Sequence, residues 1–154
     1  MGAQNKNLAI LIAEDDDDDY LLTEKAFQDS QFEGRLYRVK DGEELMAFLC
    51  AGAAQNGSAD RAMLLLLLDL NMPRKDGREA LREIKSHPEL RKIPIVVLTT
   101  SNSEADISSV YGLGANSFIK KPTSFEQFAD FIKSLKKYWF EVVELPCQPL
   151  QRIP

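Results

Sequence analysis

Four short stretches hold the residue types that could do chemistry. They are "EDD" at 14–16, "DLNMPRKDG" at 69–77, "LTTS" at 98–101 and "KKP" at 120–122. Each ends a short apolar or β-branched run: Glu14 and Asp15 after "LAILIA", Asp69 after "MLLLLL", Thr99 after "IPIVVL", and Lys121 after "SFIK". If those runs are strands of one sheet, three acids, a hydroxyl and a lysine from distant parts of the chain meet on one rim. Two or three crowded carboxylates bind a hard divalent cation through oxygen, and a site with few protein ligands and retained waters suits magnesium. The chemistry that needs this set is phosphoryl transfer to a carboxylate. The cation offsets the repulsion between the acids and draws charge from phosphoryl oxygens while one carboxylate attacks phosphorus. A lysine supplies a mobile point charge for another oxygen, and a threonine hydroxyl can donate to a third.

Such a rim requires a parallel sheet. Short apolar runs alternate with amphipathic segments along the chain. The runs at 8–13, 36–40, 63–68, 93–98 and 117–120 read as five strands, the second short, polar and at an edge. Helices are expected over about 17–30, with Leu21, Leu22 and Ala26 on the inner side, and around Leu45, Phe48 and Leu49. A third carries Ala80, Leu81 and Ile84 and closes near His87-Pro88, and a weak fourth spans about 103–113. The fifth has the clearest stripe, Phe125, Phe128, Phe131, Ile132 and Leu135, and Thr123 with Glu126 has capping-box spacing at its start. "AGAAQNGSAD", 51–60, reads as a loop. Strict βα alternation with continuous apolar strands implies an α/β, doubly wound, five-stranded parallel sheet covered by helices on both faces. Right-handed crossovers favour the strand order 2-1-3-4-5, whose switch point lies between strands one and three.

Bulk properties narrow the function. The 154 residues suit one domain, with 44% hydrophobic and 28% charged residues. The apolar run Met63–Leu68 is far below the roughly 20 residues of a bilayer span, and no signal peptide is visible, so a cytoplasmic protein is expected. A net charge of −5 and the lack of a basic face argue against nucleic acid as a partner. Cys50 and Cys147 are expected to be reduced, structural thiols. His87 reads as solvent-exposed. An EF-hand starting at Asp15 fails, because Tyr20 stands where glycine is needed and Ala26 where the bidentate glutamate belongs. Gly112 and Gly114 lack the third glycine of a dinucleotide fingerprint. Within the acid run, Asp17, Asp18 and Asp19 read as first-turn residues favoured by the helix dipole, and Asp16 as a cap or a second acid of the site.

The order and spacing of "EDD", "DLNMPRKDG", "TTS" and "KKP" resemble the receiver domain of two-component response regulators over roughly residues 7–138. More narrowly, "AEDDDDDYLLTEKAF", "LTTSNSE" and the ending "YWFEVVELP" are similar to the stand-alone regulators paired with cyanobacterial and bacterial phytochrome kinases. The resemblance implies a flavodoxin-like fold and a histidine kinase as partner, and its narrower form a kinase of phytochrome type. It makes Asp69 the phosphoacceptor, with Glu14, Asp15, Asp69 and the backbone carbonyl of Asn71 as Mg2+ ligands. Thr99 becomes the switch hydroxyl, Lys121 the phosphoryl-pairing cation and Phe118 the aromatic that changes rotamer with Thr99. It also implies a cis Lys121–Pro122 bond. Glu14 stands where many receivers carry aspartate, and Thr100 where a small residue is common; the bulk of Thr100 is expected to slow attack by water.

On this reading residues 1–138 form the receiver and 139–154 an apolar extension without an output domain. The extension, with Trp139, Phe140, Val142, Val143 and Leu145, either folds back on its own domain or lines a homodimer. The protein is expected to be a phosphoacceptor rather than a turnover enzyme. An aspartyl-phosphate hydrolase needs a second acid two positions after the nucleophile, where Asn71 stands. A flavodoxin-like electron carrier needs a phosphate cradle where Glu14–Asp19 would repel it. An interaction-only module that never takes a phosphoryl group is the remaining alternative.

Overall fold

The computed structural model describes residues 7–53, 60–100 and 103–150. The strands are β1 (Leu8–Ala13), β2 (Arg35–Val39), β3 (Asp60–Asp69), β4 (Ile95–Thr99) and β5 (Ser117–Lys120). The helices are α1 (Asp17–Asp29), α2 (Gly42–Ala53), α3 (Gly77–Ser86), α4 (Glu104–Gly112) and α5 (Phe125–Lys137). The five strands run parallel in the order β2-β1-β3-β4-β5. Side-chain alternation in the strands splits the core in two. Ala9, Leu11, Leu64, Leu66 and Leu68 face α2, α3 and α4, meeting Leu45, Leu49, Leu81, Ile84 and Val110. Ile10, Ile12, Leu65, Leu67 and Val96 face α1 and α5, meeting Ala26, Phe27, Phe128 and Ile132. Central strands apolar on both faces suit a sheet covered on both sides.

Local details depart from the sequence expectation. Leu21 is 57% exposed, and the inner face of α1 is Thr23, Ala26 and Phe27. At about 100° per residue, Leu21 lies roughly opposite Thr23, whose hydroxyl is satisfied by donating to Asp19 O at 2.9 Å. The cap of α5 is shifted by one residue from Thr123–Glu126. Ser124 Oγ accepts from Gln127 N, and Gln127 Oε1 accepts from Thr123 N at 2.9 Å. His87 is half-buried rather than exposed, because its Nδ1 accepts from the backbone N–H groups of Glu89 and Leu90, capping the 3-10 turn Leu90–Lys92. Cys50 and Cys147 are exposed on the surface, not packed in the core. Of the segment expected as a loop, 51–53 finish α2, Asp60 opens β3, and 54–59 lie outside the described residues.

The C-terminal segment adds a sixth strand. After α5 a π-helical turn (Tyr138–Val142) buries Phe140 against Phe32, with ring centroids 5.4 Å apart. Cys147–Leu150, β6, then pairs antiparallel with Asp60–Met63 of β3. That part of β3 extends beyond β4, which joins only at Leu66, so β6 covers an edge that would otherwise be open. Among the described residues, no helix is long and apolar enough to cross a membrane.

Gly77 fixes the helix that follows the acid of β3. Its N–H donates to Leu70 O at 2.9 Å, and a Cβ there would stand 2.6 Å from Leu70 Cα and 2.7 Å from Asp69 O. Both are backbone atoms that cannot step aside alone. Gly77→Ala is expected to lower stability by about 1–3 kcal/mol, read as a reduced urea midpoint at unchanged slope.

Candidate functional site

Strand register assembles the rim. Ala13 pairs with Leu68, so the next residues, Glu14 and Asp69, leave the sheet side by side. Asp69 pairs with Leu98, and Thr99 with Lys120, which brings Thr99 and Lys121 to the same end. A slip of one residue in β3 would send Asp69 to the opposite face and a leucine to the rim. Glu14, Asp69, Thr99 and Lys121 are all buried, whereas Asp15 is exposed. One carboxylate oxygen from each of Glu14, Asp15 and Asp69 lies within 4.8 Å of the others.

Lys121 is the hub. Its Nζ lies 2.6 Å from Glu14 Oε1, 2.8 Å from Asp19 Oδ2 and 3.3 Å from Asp69 Oδ2, and its side chain is only 8% exposed. Asp69 Oδ1 accepts from Asn71 N at 3.0 Å, and the Asn71 side-chain amide donates a long 3.4 Å bond to Thr99 Oγ1. The backbone N–H of Lys121 donates to Thr99 O at 2.7 Å, so the threonine and the lysine are tied through the main chain. The Lys121–Pro122 bond is trans, correcting the cis expectation; trans is the lower-energy isomer of an X–Pro bond by about 0.5–1 kcal/mol.

Residues 10–133 match the response regulator receiver domain. The chain belongs to this receiver family. It is 38% identical to response regulator Rcp1 of Synechocystis sp. over 144 residues, covering 92% of this chain and 95% of that protein. Its fold is similar to the phosphorylated cyanobacterial phytochrome response regulator RcpA, with a TM-score of 0.80, 39% identity, and 91% and 99% of the two chains covered. It is similar also to the Mn(2+)-bound form of Rcp1, with a TM-score of 0.78, 38% identity, and 90% and 99% covered.

In this receiver the expected residues Glu14, Asp15, Asp69, Asn71, Thr99 and Lys121 meet in one place. Phe118 is half-buried one strand away and donates its backbone N–H to Tyr111 Oη at 3.2 Å. Thr100 is exposed at the end of β4. Asp16 is the cap of α1, accepting from Asp19 N at 2.9 Å. Asp19, expected as a plain first-turn acid, instead pairs with Lys121. Its signal was its spacing: an N-cap bond from residue i to i+3 folds the first turn back over the strand end.

The donor set fits a hard divalent cation. Glu14, Asp19 and Asp69 face one ammonium and Asp15 stands beside Glu14 and Asp69, so acids outnumber the single lysine among them. Burial raises the Glu14 carboxyl to about 7, Lys121 opposes the rise by hydrogen bonding, and the charge of Asp69 adds to it. For Lys121, burial alone would lower the pKa, but the hydrogen bonds it donates to Asp19 and Glu14 outweigh it and hold the amine above its ordinary value.

The Glu14 shift has a defined sign. A folded value near 7 against 4.5 unfolded stabilises the metal-free protein below about 4.5, and that contribution is lost as pH rises through about 7. Cation binding must displace the same proton, so Mg2+ affinity is expected to rise about tenfold from pH 6 to pH 8. Calorimetric titration at the two pH values checks this, and Glu14→Gln is expected to flatten the slope.

Proposed function

We propose that this receiver takes a phosphoryl group from a phosphohistidine of a histidine kinase onto Asp69, with Mg2+ at Glu14, Asp15 and Asp69. The observation that carries the reading is the buried Asp69 carboxylate with Lys121 Nζ at 3.3 Å and two further carboxylates beside it. In the transfer, an Asp69 oxygen bonds to phosphorus, the P–N bond breaks, and its electron pair leaves with the imidazole, which takes up a proton. The bound cation supplies charge neutralisation at the phosphoryl oxygens. Lys121, mobile on its stem and charged throughout the physiological range, pairs with a phosphoryl oxygen. Thr99 Oγ1 gives up its long bond from Asn71 and donates to another. Thr99, Phe118 and the α4–β5 segment form the switch that a partner reads.

The Mn(2+)-bound Rcp1 structure supports the cation assignment, and the similarity to Rcp1 and RcpA supports a phytochrome-type kinase upstream. The same reading makes the protein a cytoplasmic phosphoacceptor rather than a turnover enzyme, because Asn71 cannot protonate a leaving group. Since Phe140 is used within its own chain, a homodimer contact of the tail falls to the exposed Tyr138 and Val142.

Incubation with Mg2+ and acetyl phosphate is expected to give a labile single-phosphoryl adduct by mass spectrometry, absent from Asp69→Asn. Lys121→Met is expected to slow its formation by about a hundredfold. Rapid release of inorganic phosphate over many turnovers, or an adduct persisting in Asp69→Asn, would overturn the proposal.

A further inference from the structure

Arg38 lies on β2, outside every stretch that carries the site chemistry, yet it grips the segment that carries Glu14 and Asp15. Its Nε donates to the backbone carbonyl of Glu14 at 3.1 Å. Its Nη2 lies 2.8 Å from Asp17 Oδ1, an ion pair rather than an aligned hydrogen bond. The guanidinium stacks over Tyr20, 4.5 Å from the ring centroid. The Tyr20 hydroxyl in turn donates to Glu24 at 3.3 Å. One side chain thus touches residues 14, 17 and 20, the two ends and the middle of the turn into α1.

We propose that Arg38 is a positioning residue for the acidic site: by fixing the Glu14 carbonyl and the start of α1, it aims Asp15 toward Asp69. The inference rests on the phosphoacceptor reading above. Asp15 is exposed and takes its direction from the backbone on either side. On one side Asp16 is held as the helix cap; on the other, the Glu14 carbonyl is held by Arg38. Lys121 grips the same segment from the β5 side through Glu14 and Asp19. The six consecutive acids therefore leave the strand with Lys121 on the side chains of Glu14 and Asp19, and with Arg38 on the Glu14 carbonyl and on Asp17, where Lys40 also lies 3.8 Å away. The Asp17 pair alone is a weak candidate for this role. Asp17 is 70% exposed, and exposed pairs contribute little. The carbonyl bond is different, because the rigid, planar fork fixes the angle between a carbonyl and a carboxylate, whereas the rotatable donors of an ammonium leave that angle unset.

The test uses Arg38→Ala, Arg38→Lys and Asp17→Asn in the full chain. One readout is Mg2+ affinity by calorimetry. The other is amide hydrogen exchange of residues 14–20 in the metal-free protein. Arg38→Ala is expected to weaken Mg2+ binding by about ten- to a hundredfold and to speed exchange at Asp15 to Asp17. Its rate of phosphorylation from acetyl phosphate should recover at saturating Mg2+, a defect in metal affinity rather than in the chemical step. Arg38→Lys should restore only part of the affinity, and Asp17→Asn should lose no more than about fivefold. Unchanged affinity and exchange in Arg38→Ala would overturn the proposal. So would an Asp17→Asn loss equal to that of Arg38→Ala, since the charge pair would then account for the whole effect. Should Arg38→Ala fail to fold, the comparison of Arg38→Lys with Asp17→Asn decides the same question. A wild type that binds no Mg2+ would sink the phosphoacceptor reading, while the metal-free exchange data would still judge the clamp.

Discussion

Two carboxylates leave adjacent parallel strands at the same level, and their repulsion is the constraint around which this protein is built. At an effective dielectric of 20, unit charges 4 Å apart repel by about 4 kcal/mol, a large share of the roughly 5–15 kcal/mol that holds a domain folded. Three responses to this repulsion are visible. Lys121 inserts its ammonium between Glu14, Asp19 and Asp69. Ionisation of Glu14 is opposed, its carboxyl raised to about 7 by burial, against the pull of Lys121 and with the help of Asp69. The remaining negative charge faces the open rim through Asp15. A site left short of positive charge in this way suits a small dication, and a cation there would share the carboxylates of Glu14 and Asp69 with Lys121. The readiness to bind metal and the freedom of the lysine are therefore linked.

The fold positions this cluster because the sheet does different work at its two ends. At the carboxyl end, four strands present the polar side chains of Glu14, Asp69, Thr99 and Lys121. The amino end is closed: β6 pairs with the overhang of β3, and Phe140 stacks on Phe32 below α1. Apolar burial between the ends supplies the stability that charge crowding at the rim removes. A buried leucine contributes about 1.5–3 kcal/mol, and Leu64 through Leu68 are all buried.

The strands and their order were legible because central parallel strands need unbroken apolar runs, and β1, β3 and β4 supply three of them at βα spacing, with shorter, more polar runs for β2 and β5 at the edges. The rim residues followed, since the first charged or hydroxylated residue after each run must leave the sheet at its carboxyl end. What escaped were features decided by a helical phase or by a distant partner. Leu21 has the right chemistry for the core but the wrong angle, while Thr23 has the right angle and satisfies its hydroxyl within its own helix turn. Asp19 looks like a dipole residue until Lys121, far along the chain, is placed beside it. Arg38 gave no signal, because a single arginine on an edge strand has the pattern of any solvated cation. β6 was hidden for the same reason, since "CQPL" pairs only because β3 overhangs β4.

The loop after Asp69 is held to the rim by polar contacts as well as by the buried side chains of Leu70 and Met72. Arg74 adopts a left-handed φ of 63°, a conformation that costs a non-glycine residue about 1–3 kcal/mol and persists only where its surroundings over-determine it. Here they do. Arg74 Nη1 pairs with the buried Asp41 at 3.2 Å, and Asp41 also accepts from Glu44 N at the start of α2. Lys75 O lies where a Cβ on Gly42 would stand, so only glycine admits the loop so close to α2. Asp76 then caps α3, and Gly77 seats that helix on the backbone of Asp69 and Leu70. The stretch from Asn71 to Gly77 is thus held at both ends and in its middle. Asp69 leaves the sheet on a backbone pinned by Gly77 N–H on Leu70 O, with its own Oδ1 held by Asn71 N–H.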